Sequence, residues 1–131
     1  MNQIEENTDV RQREDEGYRR WFVNSYFDII IWYDKKEGEI IGFQFCFSRN
    51  DKEKAYTWTK EYSSSHIVSD TYYEKNTLSL STGILKGDGG SIPDAVLSRF
   101  LNELKKLDRM IVELIINNIS EYNTKRKVKD T

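Results

Sequence analysis

The chain of 131 residues has one cysteine, one proline and one histidine. A single thiol, Cys46, excludes an internal disulfide and any four-thiolate zinc site. With one histidine and no carboxylates at calcium-loop spacing, a zinc or EF-hand centre is not expected, nor is any other cofactor. No apolar run approaches the roughly 18 residues that cross a bilayer as a helix, so no membrane partner is expected. Residues 1–17 carry no hydrophobic segment of the signal-peptide kind, and a cytoplasmic location follows as the expectation. Lys and Arg number 20 against 22 Asp and Glu, for a net charge of −2. Nucleic-acid binders show a basic excess, so no nucleic-acid partner is expected.

What the chain does have is aromatic bulk. Three Trp, eight Tyr and six Phe make up 13% of the residues. Each buries a large area, so one packed domain is credible despite a hydrophobic fraction of only 37%. The charges are unevenly placed. Glu5, Glu6, Asp9, Glu14, Asp15 and Glu16 dominate the start, and Lys125, Arg126, Lys127 and Lys129 the end. Such runs are usually solvated, so residues 1–17 are expected to be a disordered tail and residues 124–131 a basic tail. Residues 18–123 form the domain.

The middle of the chain is a succession of strand-like runs. Phe27–Tyr33, Ile40–Ser48, Ala55–Tyr62 and Thr77–Leu85 are rich in β-branched and aromatic residues or alternate strictly. Arg19–Val23 is a candidate fifth strand. Short polar turns join the first three, so neighbours are antiparallel. In the second run Ile41, Phe43, Phe45 and Phe47 share one face, while Gly42, Gln44 and Cys46 share the other. A sheet oily on one side needs a cover.

The C-terminal third supplies it. Ser91, Pro93 and Asp94 read as a helix start, with Ser91 as cap and Pro93 in the first turn. Leu97, Phe100, Leu104, Leu107, Ile111 and Leu114 then recur at steps of three and four. One helix from Pro93 to Tyr122 would be about 45 Å long and would overhang a six-residue strand of about 20 Å. Either the helix breaks near Leu107–Asp108, with Asp108 capping a second helix, or the overhang pairs with another chain. The break is the expected outcome. The fold expected is α+β: an antiparallel meander of four or five strands, with C-terminal helix, one long or two, on one face.

Three constellations hold candidate chemistry. Gly87, Asp88, Gly89, Gly90 and Ser91 precede a helix, but Lys86 comes before the glycines instead of after them, unlike a phosphate-binding loop. The simplest reading is a tight turn; Gly89, Gly90 and Ser91 remain a weak anion site. His66 could act as a general base with Asp70 or Glu74 as orienter, or form a dyad with Cys46 if residues 62–76 fold over the sheet. Lone histidines and strand cysteines are more often packing residues. The sheet's second face carries Trp32, Gln44, Thr57 and Thr59, which could line a concave ligand site if nothing covers them.

Arg19-Arg20-Trp21-Phe22, Phe27-Asp28 to Trp32-Tyr33, Gly42-Phe43-Gln44-Phe45-Cys46, Thr57-Trp58 and His66 together resemble a family of small uncharacterised bacterial proteins with the pattern RRWF…FDL..WY…GFQLCY…TW…H. Phe45 and Phe47 stand where that pattern has Leu and Tyr. The resemblance implies one domain of bacterial origin and brings no activity, so no catalytic residue is carried over. The expected function is a non-catalytic binding or protein-interaction module, homo-oligomeric through the long helix or a sheet edge. A small enzyme built on His66 and an anion binder at the glycine turn are the alternatives.

Overall fold

The computed structural model describes residues 3–12, 17–49, 52–68, 85–88 and 90–129. They form strands β1 (Glu5–Asn7), β2 (Tyr18–Val23), β3 (Asp28–Tyr33), β4 (Ile40–Phe47), β5 (Lys54–Thr59), β6 (Ser63–Val68) and β7 (Leu85–Asp88), then helices α1 (Asp94–Glu103) and α2 (Arg109–Lys129). Each strand pairs antiparallel with the one before it, in the order β1 to β7. The α+β meander is therefore as expected, but with seven described strands instead of four or five.

The two extra strands lie where the sequence shows little alternation. β6 (Ser63–Val68) lies between the expected third and fourth strand runs, and its serines do not advertise a strand. β1 belongs to the expected disordered tail. It is held by Ile4, which is buried, and by ion pairs from Glu5 to Lys105 and Glu6 to Arg20, both at 2.8 Å. The strand expected over Thr77–Leu85 lies outside the described residues except for Leu85, which opens β7. Lys86, Gly87 and Asp88, expected in a turn, thus belong to a strand.

The oily face is sealed. Phe22, Ile29, Ile31, Phe43, Phe45, Phe47 and Tyr56 are all buried, and they share a core with Phe100 of α1 and with Ile111, Ile115 and Ile119 of α2. The three isoleucines fall four apart, on one side of the helix. Phe45 and Phe100 meet edge to face at 5.2 Å between centroids, and Phe27 lies 5.4 Å from Phe45 and 5.8 Å from Phe100. Such aromatic pairs each add about 0.5–1.5 kcal/mol beyond their buried area.

The helical region breaks as expected. Leu104 is extended (φ −69°, ψ 136°) and bridges Ile4, whose amide donates to the Glu103 carbonyl at 2.7 Å. The Asp108 carbonyl accepts from Ile111 at 2.9 Å and Val112 at 3.1 Å and so starts α2. The Asp108 carboxylate does not cap; it pairs with Arg20 at 3.1 Å. Likewise α1 starts at Pro93 with no side-chain cap, and Ser91 is exposed. Ile92 instead sinks into the core. α2 continues through most of the expected basic tail, to Lys129.

Candidate functional site

The strand register sets the second face out in rows. One row is Arg19, Trp32, Gly42 and Thr59; the next is Trp21, Ile30, Gln44, Thr57 and Ser64. A third is Val23, Asp28, Cys46, Ala55, His66 and Asp88. Trp32, Gln44 and Thr57, expected to line an open ligand site, are at most 2% exposed. Gln44 Nε2 donates to Thr57 Oγ1 at 3.1 Å, and the Cys46 thiol donates to Gln44 Oε1 at 3.8 Å. Polar side chains that satisfy one another in this way can be buried at little cost. The concave-site expectation is therefore corrected: this face is a second interior.

His66 and Cys46 share a row, with Ala55 between them. Two strand spacings put their backbones about 10 Å apart, so they do not form a dyad. His66 Nδ1 lies 3.5 Å from Ser64 Oγ, its neighbour along the same strand. Asp70 and Glu74 lie outside the described residues. Burial, with help from Asp28 and Glu53, pushes the Cys46 thiol well above its ordinary value, while Arg49 opposes. A protonated, buried thiol is not a nucleophile. The enzyme alternative thus loses Cys46 as its second group.

The glycine turn fares similarly. Gly90 has φ +76°, the left-handed conformation expected of a turn glycine. Its carbonyl accepts from Ser65 Oγ at 2.5 Å. The Ile92 amide donates to Asn123 Oδ1 at 2.9 Å and is not free for an anion, and Asp94 adds negative charge to the first turn of α1. Gly89 lies outside the described residues. Gly90 and Ser91 are not assembled into an anion cradle.

A cavity does open elsewhere, on the helix side of the sheet. It measures about 240 Å³ and lies between the β5–β6 hairpin and α2, lined by Tyr56, Trp58, Thr59, Lys60, Glu61, Tyr62, Ser63, Asn118, Glu121, Tyr122 and Lys125. The hairpin is shaped by Thr59. Its amide donates to the Tyr62 carbonyl at 2.8 Å, and its Oγ1 accepts from the amides of Glu61 and Tyr62, both at 3.2 Å. That turn leaves the Tyr62 ring half exposed.

The walls are aromatic and braced from behind. Trp58 stacks on Phe43 at 5.6 Å, and Tyr56 meets Tyr122 edge to face at 5.1 Å. Tyr56 donates its hydroxyl to the Asn118 carbonyl at 3.2 Å, and the Tyr122 hydroxyl pairs with Ser65 Oγ at 3.1 Å. Burial pushes the Tyr56 hydroxyl up to about 12, partly offset by a bond to Ser63, so it stays protonated and able to donate. Two ion pairs cross the rim, Lys125 with Glu121 at 2.9 Å and Lys60 with Glu39 at 3.2 Å, while the exposed Glu61 has no ion pair among the described residues.

Of the residues expected to bind a ligand, Thr59 alone lines this groove. The rest of it was hidden because its residues come from a strand, a turn and a helix some 60 positions apart. The available signal was a cluster of Tyr56, Trp58 and Tyr62 within one hairpin. Among the described residues, no three His, Cys, Asp or Glu side chains gather closely enough to hold a metal ion. Among the same described residues, no helix is long and apolar enough to cross a membrane. Comparison with protein families, with curated proteins and with solved structures gives no match.

Proposed function

We propose that the chain is a non-catalytic binding module that receives one large side chain of a partner protein in the groove between the β5–β6 hairpin and α2. The observation that carries this reading is the groove itself: about 240 Å³, walled by Tyr56, Trp58 and Tyr122, with Tyr62 half exposed at its rim. Small-molecule sites are usually about 300–1,000 Å³, so this volume suits a single side chain better than a free metabolite. The Trp58, Tyr62 and Tyr122 rings contribute to the walls, and polar groups, Ser63 and Asn118 among the residues that carry them, make up most of the accessible lining. Most of the accessible lining is polar and Glu61 is left without an ion pair among the described residues, which favours an uncharged anchor with a hydrogen-bond donor at its tip, such as Tyr, over an aliphatic one. Interface anchors of this kind are rich in Tyr and Trp. The resemblance to a bacterial family adds an origin and no activity to this proposal.

The test is selection of peptides from a displayed library on the intact protein, followed by titration read at the Trp58 indole N–H. Selected peptides are expected to share one large uncharged residue and to shift Trp58. Tyr62→Ala should weaken them about tenfold or more, the scale of a 1.4 kcal/mol anchor, without changing the melting temperature. Peptides that bind Tyr62→Ala equally well, or that leave Trp58 unshifted, would remove the groove from the account. Concentration-dependent sedimentation, abolished by Tyr62→Ala, would identify the partner as a second copy of the chain.

A further inference from the structure

The groove suits an uncharged side chain with a hydrogen-bond donor at its tip, and this chain presents one on its own surface. Tyr62 is 51% exposed, and no other aromatic ring among the described residues is as open to solvent. It stands at the rim of the groove itself, so anchor and receptor belong to one patch. A patch that holds both halves of a contact can meet its own copy about a two-fold axis, each half serving the other.

Both halves are set in advance. Thr59 holds Tyr62 by its two peptide groups: Oγ1 accepts from the Tyr62 amide at 3.2 Å, and the Thr59 amide donates to the Tyr62 carbonyl at 2.8 Å. Only the side-chain torsions of the anchor remain to be ordered on binding, which keeps the entropic cost low. On the receptor side, Trp58 is backed by the Phe43 ring, and the Tyr56 hydroxyl ties β5 to the Asn118 carbonyl of α2.

The charges allow the same meeting. Lys60 and Lys125 line the groove together with Glu61 and Glu121, so the patch is neutral and does not repel its copy. The two lysines hold their acidic partners through exposed ion pairs, which are weak and readily exchanged. Glu61 is exposed and has no ion pair among the described residues. An unrelated partner must supply a cation for Glu61 as well as an anchor for the groove; a second copy brings both.

We propose that the occupant of the groove is a second copy of this chain, a step that rests on the groove being a receptor for one side chain. Two copies associate about a two-fold axis beside the β5–β6 hairpin. The Tyr62 of each enters the other's groove, its hydroxyl donating into the polar lining, and the Glu61 of each faces a rim lysine of the other.

Reciprocal insertion has a signature, because one substitution per chain removes two contacts per dimer. Sedimentation equilibrium of the full chain, from about 1 μM to 1 mM, reads it. Wild type is expected to rise from 15.5 kDa towards twice that mass. Tyr62→Ala removes both anchors. Ser63→Phe and Glu121→Trp fill both grooves, one from the strand side and one from the helix side, and a thermal melt selects the variant that keeps the fold. At about tenfold per contact, anchor loss or groove filling should each weaken the dimer about a hundredfold. An equimolar mixture of Tyr62→Ala with the groove-filled variant regains one contact, so its mixed dimer should form about tenfold more tightly than either variant dimerises alone. A wild type that stays monomeric to about 1 mM, a dimer that survives Tyr62→Ala, or a mixture no tighter than its components would overturn the proposal. A monomer whose Trp58 indole N–H still shifts with selected peptides keeps the groove and assigns it to another protein. Peptides that leave Trp58 unshifted remove the groove reading itself, whatever the state of association.

Discussion

The side-chain amide of Asn123, near the end of α2, holds both backbone groups of Ile92, two residues ahead of α1. Asn123 Oδ1 accepts from the Ile92 amide at 2.9 Å, and Nδ2 donates to the Ile92 carbonyl at 2.8 Å. This is how the chain can sink Ile92 into the core without leaving its peptide groups unpaired. It also fixes the far end of α2 against the start of α1.

Asn123→Ala should therefore cost more than a surface substitution. Each buried group left without a partner costs about 1–3 kcal/mol. Asn123→Asp keeps the acceptor and loses the donor, so it should fall between wild type and Asn123→Ala. Urea melts of the three proteins check the order, and an Asn123→Ala as stable as wild type contradicts the clamp.

β1 should matter to stability, although its sequence reads as a solvated tail. Ile4 is 2% exposed and its amide is bonded to α1 through the Glu103 carbonyl. Ile4→Ala should cost about 2–5 kcal/mol, as truncations of buried isoleucine do. A thermal melt reads this, and a shift no larger than that of an exposed residue such as Met110 would mean that β1 is not docked.

The parts of the fold legible in the sequence are those with strict alternation over a long run. β4 and β5 announce themselves through Phe43, Phe45, Phe47, Tyr56 and Trp58, β3 through its unbroken run of Ile29, Ile30, Ile31 and Trp32, and the helix stripe through Ile111 and Ile115. β1 was illegible because one buried residue, Ile4, makes no period. β6 was illegible because Ser65 faces partners that are themselves polar, Tyr122 and the Gly90 carbonyl. The second face misleads for a related reason: Gln44 and Thr57 look wet one at a time, and only the register shows that they satisfy each other. The groove combines distant segments, and no periodicity within either one reports it.

Two glycines should respond to alanine for different reasons. A Cβ on Gly42 would stand 2.8 Å from the Trp58 carbonyl oxygen, with the Trp32 ring at 3.6 Å behind it. Overpacking of this kind costs about 1–3 kcal/mol. Gly90 has φ +76° but open space around its would-be Cβ. Its alanine variant should lose only the left-handed preference, about 1 kcal/mol. Denaturant midpoints should rank wild type, Gly90→Ala, Gly42→Ala; the reverse order for the two variants would contradict the close approach of β4 and β5 at Gly42.

Global stability should carry the signature of Glu53. Its carboxyl is raised from 4.5 to about 7 in the folded chain, so the folded state binds the extra proton. Stability from this group is complete below about pH 4.5 and is lost as pH rises to about 7, by at most about 3 kcal/mol. Urea melts at about pH 5 and pH 8 should show this loss in wild type and a smaller one in Glu53→Gln. Equal losses in the two proteins would mean that Glu53 titrates normally.

The packing of the helices on the phenylalanine face underlies both the groove and the closed core, and one measurement tests it most directly. Phe45 of β4 and Phe100 of α1 meet at 5.2 Å. A double-mutant cycle of Phe45→Ala and Phe100→Ala, read by urea denaturation, should give a coupling of about 0.5–1.5 kcal/mol. Losses that add to within about 0.3 kcal/mol would mean that the two rings do not touch, and that α1 packs somewhere other than on this face.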